Sequence, residues 1–301
     1  MVNNLPPRTA LKDIMSYDSI KEEAFRMKAI KLLCLVVSCL CSLKCCLADP
    51  ASDTPITVRV ASYNVVFGSM TTPEQLGKMF KPYNLDIIGF SEVPDGDWTA
   101  RVGKLLGMEH SYVGKISSAN HKDKYKSILS RTPLDGTTEH EMRVNRRGFW
   151  NPASVVRATT KIEGISLAFC SLHISGSGGR KGNGHAYQLA TKIVPKEMAE
   201  RMIIVGDFNN NIGDEAMNII ESAGMKPTWK DLNIDLSEEF TIWHNKPEKH
   251  LGVIDHILYN TSSGAEAIEG GIIELKKPLS DHKPIWAEII FPRKLKNVRN
   301  K

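Results

Sequence analysis

Nine short runs of β-branched and other apolar residues are the feature of this 301-residue chain that most restricts its fold. The first run, Ile56–Asn64, reads ITVRVASYN, and its alternation places Ile56, Val58, Val60 and Ser62 on one face of a strand. The other eight runs cover residues 85–90, 126–130, 153–160, 167–173, Met202–Asp207, 256–259, 271–275 and Ile285–Phe291. So many short strands in one chain predict packed β-sheets.

Four stretches between the strands have helical patterns: 72–81, Trp98–Leu106, 186–198 and 214–222. Pro73 stands in the first turn of the first stretch, where proline is favourable, and Pro195 should bend or shorten the third. Residues 49–292 contain no low-complexity linker and no repeat. A segment of about 244 residues is compatible with one domain, and the pattern predicts an α/β fold with helices outside packed sheets.

The N-terminal region resembles a targeting signal more than a part of the fold. Five of the six cysteines lie in residues 34–46, and only Cys170 lies elsewhere. Basic residues precede an uncharged stretch, 32–43, and small residues follow it up to Ala48, as in a secretory signal. Twelve residues span about 18 Å as a helix, too short for a hydrocarbon core of ~30 Å. We therefore predict a signal peptide at 27–48 with cleavage after Ala48, and a buried core helix is the alternative.

The boundaries of the folded domain follow from this interpretation. Residues 1–26 are polar and do not suit a position before a signal, so we expect an upstream misassigned start or a disordered extension. The protein is expected to be secreted or periplasmic, and lipoprotein anchoring through Cys39 is the alternative. The domain itself is predicted to cover residues 49–292. The basic tail, 293–301, is expected to be disordered.

Removal of the first 48 residues changes the charge of the chain. That segment holds seven of the 39 basic and four of the 34 acidic side chains, which leaves 32 and 30 and a net charge of +2. So small a charge gives little support for strong binding to duplex nucleic acid. The mature chain keeps one cysteine and can form no internal disulfide, so its stability does not depend on an oxidising compartment.

Polar side chains stand where the predicted strands end. They are Asn64, Glu92, His173, Asp207, Asn209, Asp255, Asp281 and His282. Each alone is an ordinary turn, cap or salt-bridge residue. Together, four carboxylates on one rim would repel one another by about 4 kcal/mol per pair at about 4 Å, unless a cation or a proton offsets the charge. Oxygen ligands favour Mg²⁺, Mn²⁺ or Ca²⁺, since zinc prefers histidine and cysteine.

This set of side chains fits metal-assisted hydrolysis of a phosphoester better than acyl transfer. Asn64 and Asn209 add amide oxygens and N–H donors suited to a phosphate, and histidine supplies acid–base chemistry near its usual pKa of about 6.5. The sequence has no Gly-x-Ser-x-Gly elbow. Cys170 lies within a strand run, which favours a core position over a nucleophile.

Six sequence blocks, in order, resemble the endonuclease/exonuclease/phosphatase superfamily of deoxyribonuclease I-like proteins. They are Ser-Tyr-Asn64-Val, Gly-Phe-Ser-Glu92-Val, Ser-Leu-His173, Val-Gly-Asp207-Phe-Asn209, Ile-Asp255-His-Ile-Leu and Ser-Asp281-His282-Lys-Pro. The resemblance spans about residues 58–290. It implies a four-layer α/β/β/α sandwich of two mixed β-sheets with outer helices, and a site at one end of the sheets.

The resemblance also implies which residues hold a metal ion. Glu92 would bind it, Asn64 would support both the metal and the phosphate, and Asp281 would complete the metal or water network. The expected ion is Mg²⁺, with Mn²⁺ or Ca²⁺ as alternatives. Family members often carry an acidic residue just before the strand that here reads Ile-Leu-Ser-Arg, and Asp123 could fill that position.

The remaining roles implied by the resemblance concern the water and the phosphate. Asp207 would orient or deprotonate the attacking water, helped by Asn209, which would also contact the substrate. His282, paired with Asp255, would bind a phosphoryl oxygen or protonate the leaving group. His173 would contact the non-bridging oxygen.

Basic and aromatic side chains in the middle of the chain suit a polyanionic substrate through phosphate contacts and stacking, and a solvated loop face is the alternative. They are Lys122, Lys124, Lys126, Arg143, Arg146, Arg147, Arg180 and Lys181, with Tyr125, Phe149 and Trp150. Arg147 is our candidate substrate-binding residue in this set. We expect an exported nuclease or phosphodiesterase acting on nucleic acid, with no obligate protein partner. The alternatives are a phosphatase or sphingomyelinase-like phospholipase on inositol phosphates or membrane lipids, and a non-catalytic binding module.

Overall fold

Twelve strands form two six-stranded sheets in the computed structural model, which describes residues 54–144, 150–176, 184–243 and 252–295. The strands are β1 Ile56–Asn64, β2 Ile87–Val93, β3 His110–Val113, β4 Tyr125–Ser130, β5 Asp135–Met142, β6 Ala153–Ile162, β7 Ile165–His173, β8 Met202–Asp207, β9 Met225–Pro227, β10 Asp255–Asn260, β11 Glu266–Ile272 and β12 Ile285–Phe291. The first sheet has the order β11-β12-β1-β2-β4-β3, and the second has the order β5-β6-β7-β8-β10-β9.

The helices within the described ranges are short. They are α1 Pro73–Phe80, α2 Trp98–Leu106, α3 Gly184–Gln188, α4 Val194–Glu197, α5 Glu215–Ser222 and α6 Trp229–Leu232, with a π-helical segment, Leu189–Ile193, between α3 and α4. Four 3₁₀ segments, Val66–Gly68, Lys81–Tyr83, Ser118–Asn120 and Thr261–Ser263, connect strands and helices. No helix in the described residues is both long and apolar enough to cross a membrane.

Each sheet is mixed, with one parallel pair at its centre. β1 pairs with β2 and β7 pairs with β8 in parallel, and the other pairs are antiparallel. The carboxyl ends of a parallel pair lie side by side at one edge of the sheet. Asn64 and Glu92 are therefore close together at the ends of β1 and β2, and His173 and Asp207 at the ends of β7 and β8.

Apolar side chains form three cores, one between the two sheets and one between each sheet and its outer helices. Val58 and Val60 of β1 face Phe169 and Val205 of the second sheet in the core between the sheets. The outer face of the first sheet packs on α1 and α2, and the outer face of the second packs on α3, α5 and the π-helical segment. The predicted four-layer α/β/β/α sandwich is thus confirmed.

Local chemistry explains the predicted helix starts and breaks. Thr72 and Gln75 form a reciprocal capping box before α1, with Pro73 in the first turn. In the third predicted helix, the π-helical segment precedes Pro195, which stands in the first turn of α4. Because proline has no N–H, it cannot continue the hydrogen-bond ladder of the preceding turn.

The sequence prediction missed β3, β5 and β9 and began β11 too late. β5 reads DGTTEHEM and is mostly exposed at the edge of its sheet, so it has no apolar alternation to detect. β9 has only three residues. The alternation of β11 is broken by a register shift between Ala267 and Glu269.

Gly89 in β2 lets the two sheets approach each other closely beside the rim. A Cβ at this position would lie 2.2 Å from Cγ2 of Val205 and 3.0 Å from Oγ of Ser171 in the opposite sheet. Three residues later in the same strand lies the rim residue Glu92, the last residue but one of β2.

The structure describes the start of the C-terminal tail but not the predicted signal at the N-terminus. The predicted signal at 27–48 and the segment 1–26 lie outside the described residues. Arg293, assigned to a disordered tail, instead donates hydrogen bonds to the backbone oxygens of Thr54 and Glu163 and pairs with the Glu163 carboxylate at 2.7 Å. The first residue of the tail is therefore anchored to the domain, and residues 296–301 lie outside the described ranges.

Candidate active site

The strand registers place the predicted residues at one end of both sheets. In the first sheet, Asn64 at the end of β1 pairs with Ser91, the residue before Glu92. In the second sheet, Asp207 at the end of β8 pairs with His173 on one side and with Asp255 on the other. The rim predicted from the sequence therefore exists, and its polar side chains are buried except for those of Asn209 and Asp281, which are half-buried.

Two contacts join the rims of the two sheets. Asn64 Nδ2 donates a hydrogen bond of 3.0 Å to Oδ2 of Asp207. Nδ1 of His173 lies 3.7 Å from Oε1 of Glu92. Residues that are far apart in the sequence thus form one continuous polar cluster between the layers.

Asp207 is the centre of this cluster. Its Oδ1 accepts a 2.9 Å hydrogen bond from the Asn209 backbone N–H, and its Oδ2 lies 3.2 Å from His173 Nε2. Burial alone would raise the pKa of Asp207, but the positive charges of His173 and His282 and the hydrogen bonds from His173 and Asn64 outweigh it. The pKa is lowered, and Asp207 is an anion at neutral pH.

His282 is held between two carboxylates. Its Nδ1 lies 2.8 Å from Asp255 Oδ2, and its Nε2 lies 3.6 Å from Asp207 Oδ2 and 3.4 Å from Asn64 Nδ2. Burial lowers the pKa of His282, but the charges of Asp255 and Asp207 and the Asp255 hydrogen bond raise it to about 10. The imidazole is therefore a cation at neutral pH, with Nδ1–H committed to Asp255 and Nε2–H directed towards the cluster.

The serine before Asp281 fixes the position of this residue. Ser280 Oγ lies 2.7 Å from the backbone oxygen of Asn64 and 3.2 Å from Asp281 Oδ1. Asp281 is thus next to the carboxyl end of β1. All three predicted metal residues, Glu92, Asn64 and Asp281, lie around that strand end.

Glu92 has an unusual backbone and an unexpected partner. Its φ is +53°, in the left-handed region, and it coincides with a register shift between β2 and β4. Its Oε1 accepts a 2.8 Å hydrogen bond from Lys124 Nζ, which lies 5.1 Å from the centre of the Phe67 ring. Asp123, the acidic candidate of this stretch, lies in the turn before β4 and donates its backbone N–H to His121. Lysine, not aspartate, therefore reaches the rim here.

The donor set fits a divalent cation. Ligand atoms of Asp207, Asp255 and His282 lie within 4.8 Å of one another. Asp255 Oδ1 is buried and has no hydrogen-bond partner among the described residues, so it is free to accept a cation or a water. This group differs from the predicted ligands Glu92, Asn64 and Asp281. A cation would bind His282 only as the neutral imidazole, so binding there requires loss of the proton that the Asp255 and Asp207 carboxylates favour.

Only some of the predicted basic and aromatic residues lie at the site. Trp150 packs against His173, with ring centres 4.7 Å apart. Lys126 is instead fully buried, and Nζ donates to the backbone oxygen of Ile116 and to Ser118 Oγ. It stabilises the segment that carries Lys124 and does not face a substrate. Two groups of the predicted cluster lie outside the described residues: Arg146, Arg147 and Phe149, and Arg180 and Lys181.

Cys170 is buried in the core of the second sheet, as predicted. Burial raises the pKa of its thiol to about 12. The group is therefore a thiol, not a thiolate, at neutral pH and has no nucleophilic role.

The fold and this buried cluster of carboxylates, amides and histidines define a phosphoester hydrolase of the deoxyribonuclease I-like class. A family model described as Endonuclease/Exonuclease/phosphatase family matches residues 61–282. The chain belongs to this family. Its members are metal-dependent phosphoester hydrolases, and this chain is an enzyme of that type.

Solved structures share the fold at low sequence identity. An endonuclease/exonuclease/phosphatase family protein from Bacteroides thetaiotaomicron is 18% identical with a TM-score of 0.63, covering 79% of this chain and 99% of that one. A mannosyl-6-phosphatase from the same organism is 18% identical with a TM-score of 0.60, covering 78% and 100%. TDP2 of D. rerio, complexed with single strand DNA product, is 14% identical with a TM-score of 0.57, covering 77% and 98%. No curated protein matches the sequence significantly.

Proposed function

We propose that this protein is an exported, Mg²⁺-dependent nuclease or phosphodiesterase that cleaves nucleic acid by in-line attack of water on a phosphate. The observation that carries the reaction type is the chain of contacts from Asp255 through His282 to Asp207 and Asn64. It supplies an anion, a cation and an amide within one buried cluster, and none of these four residues is a serine, threonine or cysteine.

Asp207 and Asn209 are placed to position the attacking water. As an anion, Asp207 accepts a hydrogen bond from that water and orients its lone pair towards phosphorus. The Asn209 N–H holds the other carboxylate oxygen at 2.9 Å and so fixes the carboxylate plane. Such positioning is the main contribution of a protein to an in-line displacement.

His282 and His173 are placed to act on the phosphoryl and leaving-group oxygens. The Asp255 contact directs His282 Nε2–H into the site, where it donates to a phosphoryl oxygen or protonates the departing alkoxide. His173, at the end of β7 in the second sheet, contacts a non-bridging oxygen of the phosphate. Asn64 Nδ2 adds a third donor.

Glu92, with Asn64 and Asp281 beside it, would hold Mg²⁺. When bound, the cation stabilises the negative charge on the phosphoryl group. Carboxylate and amide oxygens favour Mg²⁺, with Mn²⁺ or Ca²⁺ as substitutes.

Aromatic and cationic side chains at the rim favour a nucleic acid over a lipid. The Trp150 ring packs beside His173, and the Phe67 ring is stacked on His121 at 4.6 Å below Lys124. Rings next to a phosphate site suit bases, because stacking is tolerant of sequence. A complex of TDP2 with single-strand DNA product shows that a protein of this fold accepts such a ligand.

A substrate panel tests the proposal. The purified protein is assayed on plasmid DNA, abasic DNA, RNA, sphingomyelin, inositol phosphates and a phosphomonoester, each with Mg²⁺, Mn²⁺, Ca²⁺ or EDTA. We expect nucleic acid to be cleaved with Mg²⁺ and activity to be lost in EDTA. Hydrolysis of the lipid or the monoester alone would contradict the assignment.

Variants connect the activity to the site. His282→Ala should lose at least about 100-fold in kcat/KM on bis-nitrophenyl phosphate, since general acid–base groups contribute on that scale. His110→Ala is the matched control, because His110 begins the edge strand β3. Equal losses in both variants would show that folding, not chemistry, was affected.

Export is proposed from the sequence alone. The signal at 27–48 supports secretion or a periplasmic location, with mature residues beginning at Asp49. N-terminal sequencing of the protein recovered outside the cytoplasm tests this. A lipid-modified terminus at Cys39 would show the lipoprotein alternative instead.

A further inference from the structure

A second polar network lies beside the candidate active site and takes no part in the mechanism above. Ser175 Oγ is 2.8 Å from His185 Nδ1, and His185 Nε2 is 3.2 Å from Asn151 Oδ1. His185 is buried, and Ser175 is half-buried. No strand-end pattern in the sequence singles out these three residues, because they come from three separate segments.

The orientation of the Asn151 amide is set by the backbone of Val144. The Val144 N–H donates to Asn151 Oδ1 at 2.9 Å, and Asn151 Nδ2 donates to the Val144 oxygen at 2.8 Å. If the Asn151 amide were flipped, its NH₂ group would face the Val144 N–H and its oxygen would face the Val144 oxygen. Neither pair can form a hydrogen bond, so Oδ1 must be the atom that faces His185.

The tautomer of His185 follows from the Asn151 oxygen and the Ser175 backbone N–H, which face opposite nitrogens of its ring. Nε2 faces the Asn151 oxygen, an acceptor, and therefore carries the proton. Nδ1 also accepts a 3.4 Å hydrogen bond from the Ser175 backbone N–H, which can only donate. Nδ1 is therefore unprotonated, and the Ser175 hydroxyl must donate its proton to it.

Ser175 consequently presents only lone pairs to other partners. A hydroxyl has one proton and two acceptor sites, and its proton is used by His185. Whatever meets Oγ from the solvent side must bring a hydrogen-bond donor. A phosphate oxygen has no such donor at neutral pH, but a hydroxyl group on a sugar does.

Ser175 lies next to the phosphate site. It follows His173 by two residues, so their Cα atoms are at most about 7 Å apart. Asn209 Nδ2 ties this segment to the site, since it lies 2.9 Å from the Ile174 oxygen and 3.3 Å from His173 Nε2. The Trp150 ring packs against both His173 and His185.

From this geometry, and resting on the proposed phosphoester hydrolysis, we propose that Ser175 binds a free hydroxyl on the sugar attached to the scissile phosphate. The substrate class is then a ribonucleotide or another sugar phosphate, and deoxyribonucleotides are poorer substrates. Ser175 is a specificity-determining residue, and Asn151 and His185 position its hydroxyl.

A nucleophilic serine is the competing interpretation of a Ser–His–Asn arrangement. It requires a histidine that can take the proton. Burial, and then the charge of His173, lowers the pKa of His185 to about 4, so this imidazole is a weak base. Together with the fixed tautomer, this keeps the proton on Ser175 and leaves Oγ as an acceptor.

The test compares matched substrates that differ by one kind of hydroxyl. An oligoribonucleotide is compared with the oligodeoxyribonucleotide of the same sequence, and glucose 6-phosphate with its 2-deoxy analogue, all with Mg²⁺. We expect the wild-type kcat/KM to favour the hydroxyl-bearing member of at least one pair by roughly three- to tenfold, the scale of one hydrogen bond. The pair that shows the preference identifies the source of the sugar.

Variants of Ser175 decide whether this residue causes the preference. Ser175→Ala should reduce the ratio to about one, and Ser175→Thr, which keeps a hydroxyl, should retain it. The control is Ser222→Ala, because the exposed Ser222 hydroxyl donates only to the Ile219 oxygen of its own helix. Thermal unfolding of each variant separates a loss of stability from a loss of discrimination.

Three results would overturn the inference. The first is hydrolysis of bis-nitrophenyl phosphate and of both members of each pair without discrimination, which leaves the proposed hydrolysis intact. The second is a preference that persists in Ser175→Ala. The third is covalent labelling of Ser175 by a fluorophosphonate, which would show a nucleophile. A protein that hydrolyses none of these substrates refutes the proposed function itself, and this inference with it.

Discussion

Replacing Lys124 with glutamine should tighten the binding of a divalent cation. The Lys124 ammonium donates to Glu92 Oε1 at 2.8 Å, and Glu92 is the predicted metal ligand. A cation that binds this carboxylate must either displace the ammonium or tolerate its charge nearby. Glutamine keeps most of the side-chain length and removes the competing charge.

The size of the effect follows from the geometry and burial of the pair. The side chains of Lys124 and Glu92 are only 19% and 9% exposed. At 2.8 Å and an effective dielectric near 20, their attraction is about 6 kcal/mol, an upper limit because desolvation opposes it. An exposed pair would contribute about 0.5 kcal/mol. We expect a coupling of about 1–3 kcal/mol, equivalent to about 5- to 150-fold in metal affinity.

Isothermal titration calorimetry with Mn²⁺, without substrate, measures this affinity directly. The matched control is Lys122→Gln, which removes an equal charge from an exposed position two residues away. In EDTA, Lys124→Gln should also unfold at a lower temperature than the wild type, because Glu92 then lacks its partner. Added metal should restore more stability to the variant than to the wild type. An affinity equal to that of Lys122→Gln, or weaker than wild type, would refute the competition between ammonium and metal.

Three further predictions concern the Asp255–His282 pair, a buried lysine and the packing of the sheets. Asp255→Asn should lower kcat/KM on bis-nitrophenyl phosphate by roughly 10²- to 10⁴-fold, because His282 loses the carboxylate that orients its ring and favours its positive charge. An unchanged rate would show that Asp255 does not act through His282. For Lys126, desolvation by burial lowers the pKa to about 8 from an unfolded value of 10.5, so its contribution to the free energy of unfolding should rise by about 3 kcal/mol from pH 7 to 10.5. Urea unfolding of wild type and Lys126→Met measures this as a pH-dependent difference, and a difference independent of pH would contradict it. Gly89→Ala should destabilise the domain by about 1–3 kcal/mol in the same assay, since its methyl group would overlap Val205 in the opposite sheet.

The strand-end residues of the site could be predicted from the sequence because they obey a local rule. His173 and Asp207 end their apolar runs, and Asp255 begins a run that is antiparallel to them, so all three lie at the same edge of the sheet. His173, Asp207 and Asp255 lie in register on three neighbouring strands, so the rule that places one places all three. Their roles in catalysis and metal binding remain predictions from the family resemblance.

The contacts made by loop residues could not be predicted, because no periodicity governs them. Nothing in the sequence indicates which carboxylate Lys124 contacts. Its contact with Glu92 depends on the bulge in β2 and on the buried Lys126 ammonium, which donates to the Lys124 backbone oxygen. The partners Ser175 and His185 are separated by nine residues in the chain. Two lysines in similar sequence positions thus occupy different environments: Lys124 contacts Glu92 in the site, and Lys126 is buried in the interior.

This contrast explains why family membership predicts the reaction but not the substrate. The groups proposed to act on phosphorus lie on strands or within a few residues of a strand end, where hydrogen-bonded register fixes their spacing within each sheet. Lys124, which contacts Glu92, and Ser175, which is proposed to contact the sugar, lie on loops that can change without altering that register. A mannosyl-6-phosphatase and a protein bound to single-strand DNA share this fold with the present chain, as expected if the sheets determine the chemistry and the loops determine what is recognised. The comparison of hydroxyl-bearing and deoxy substrates therefore tests a loop residue, Ser175, because loops are where we propose that this enzyme selects its substrate.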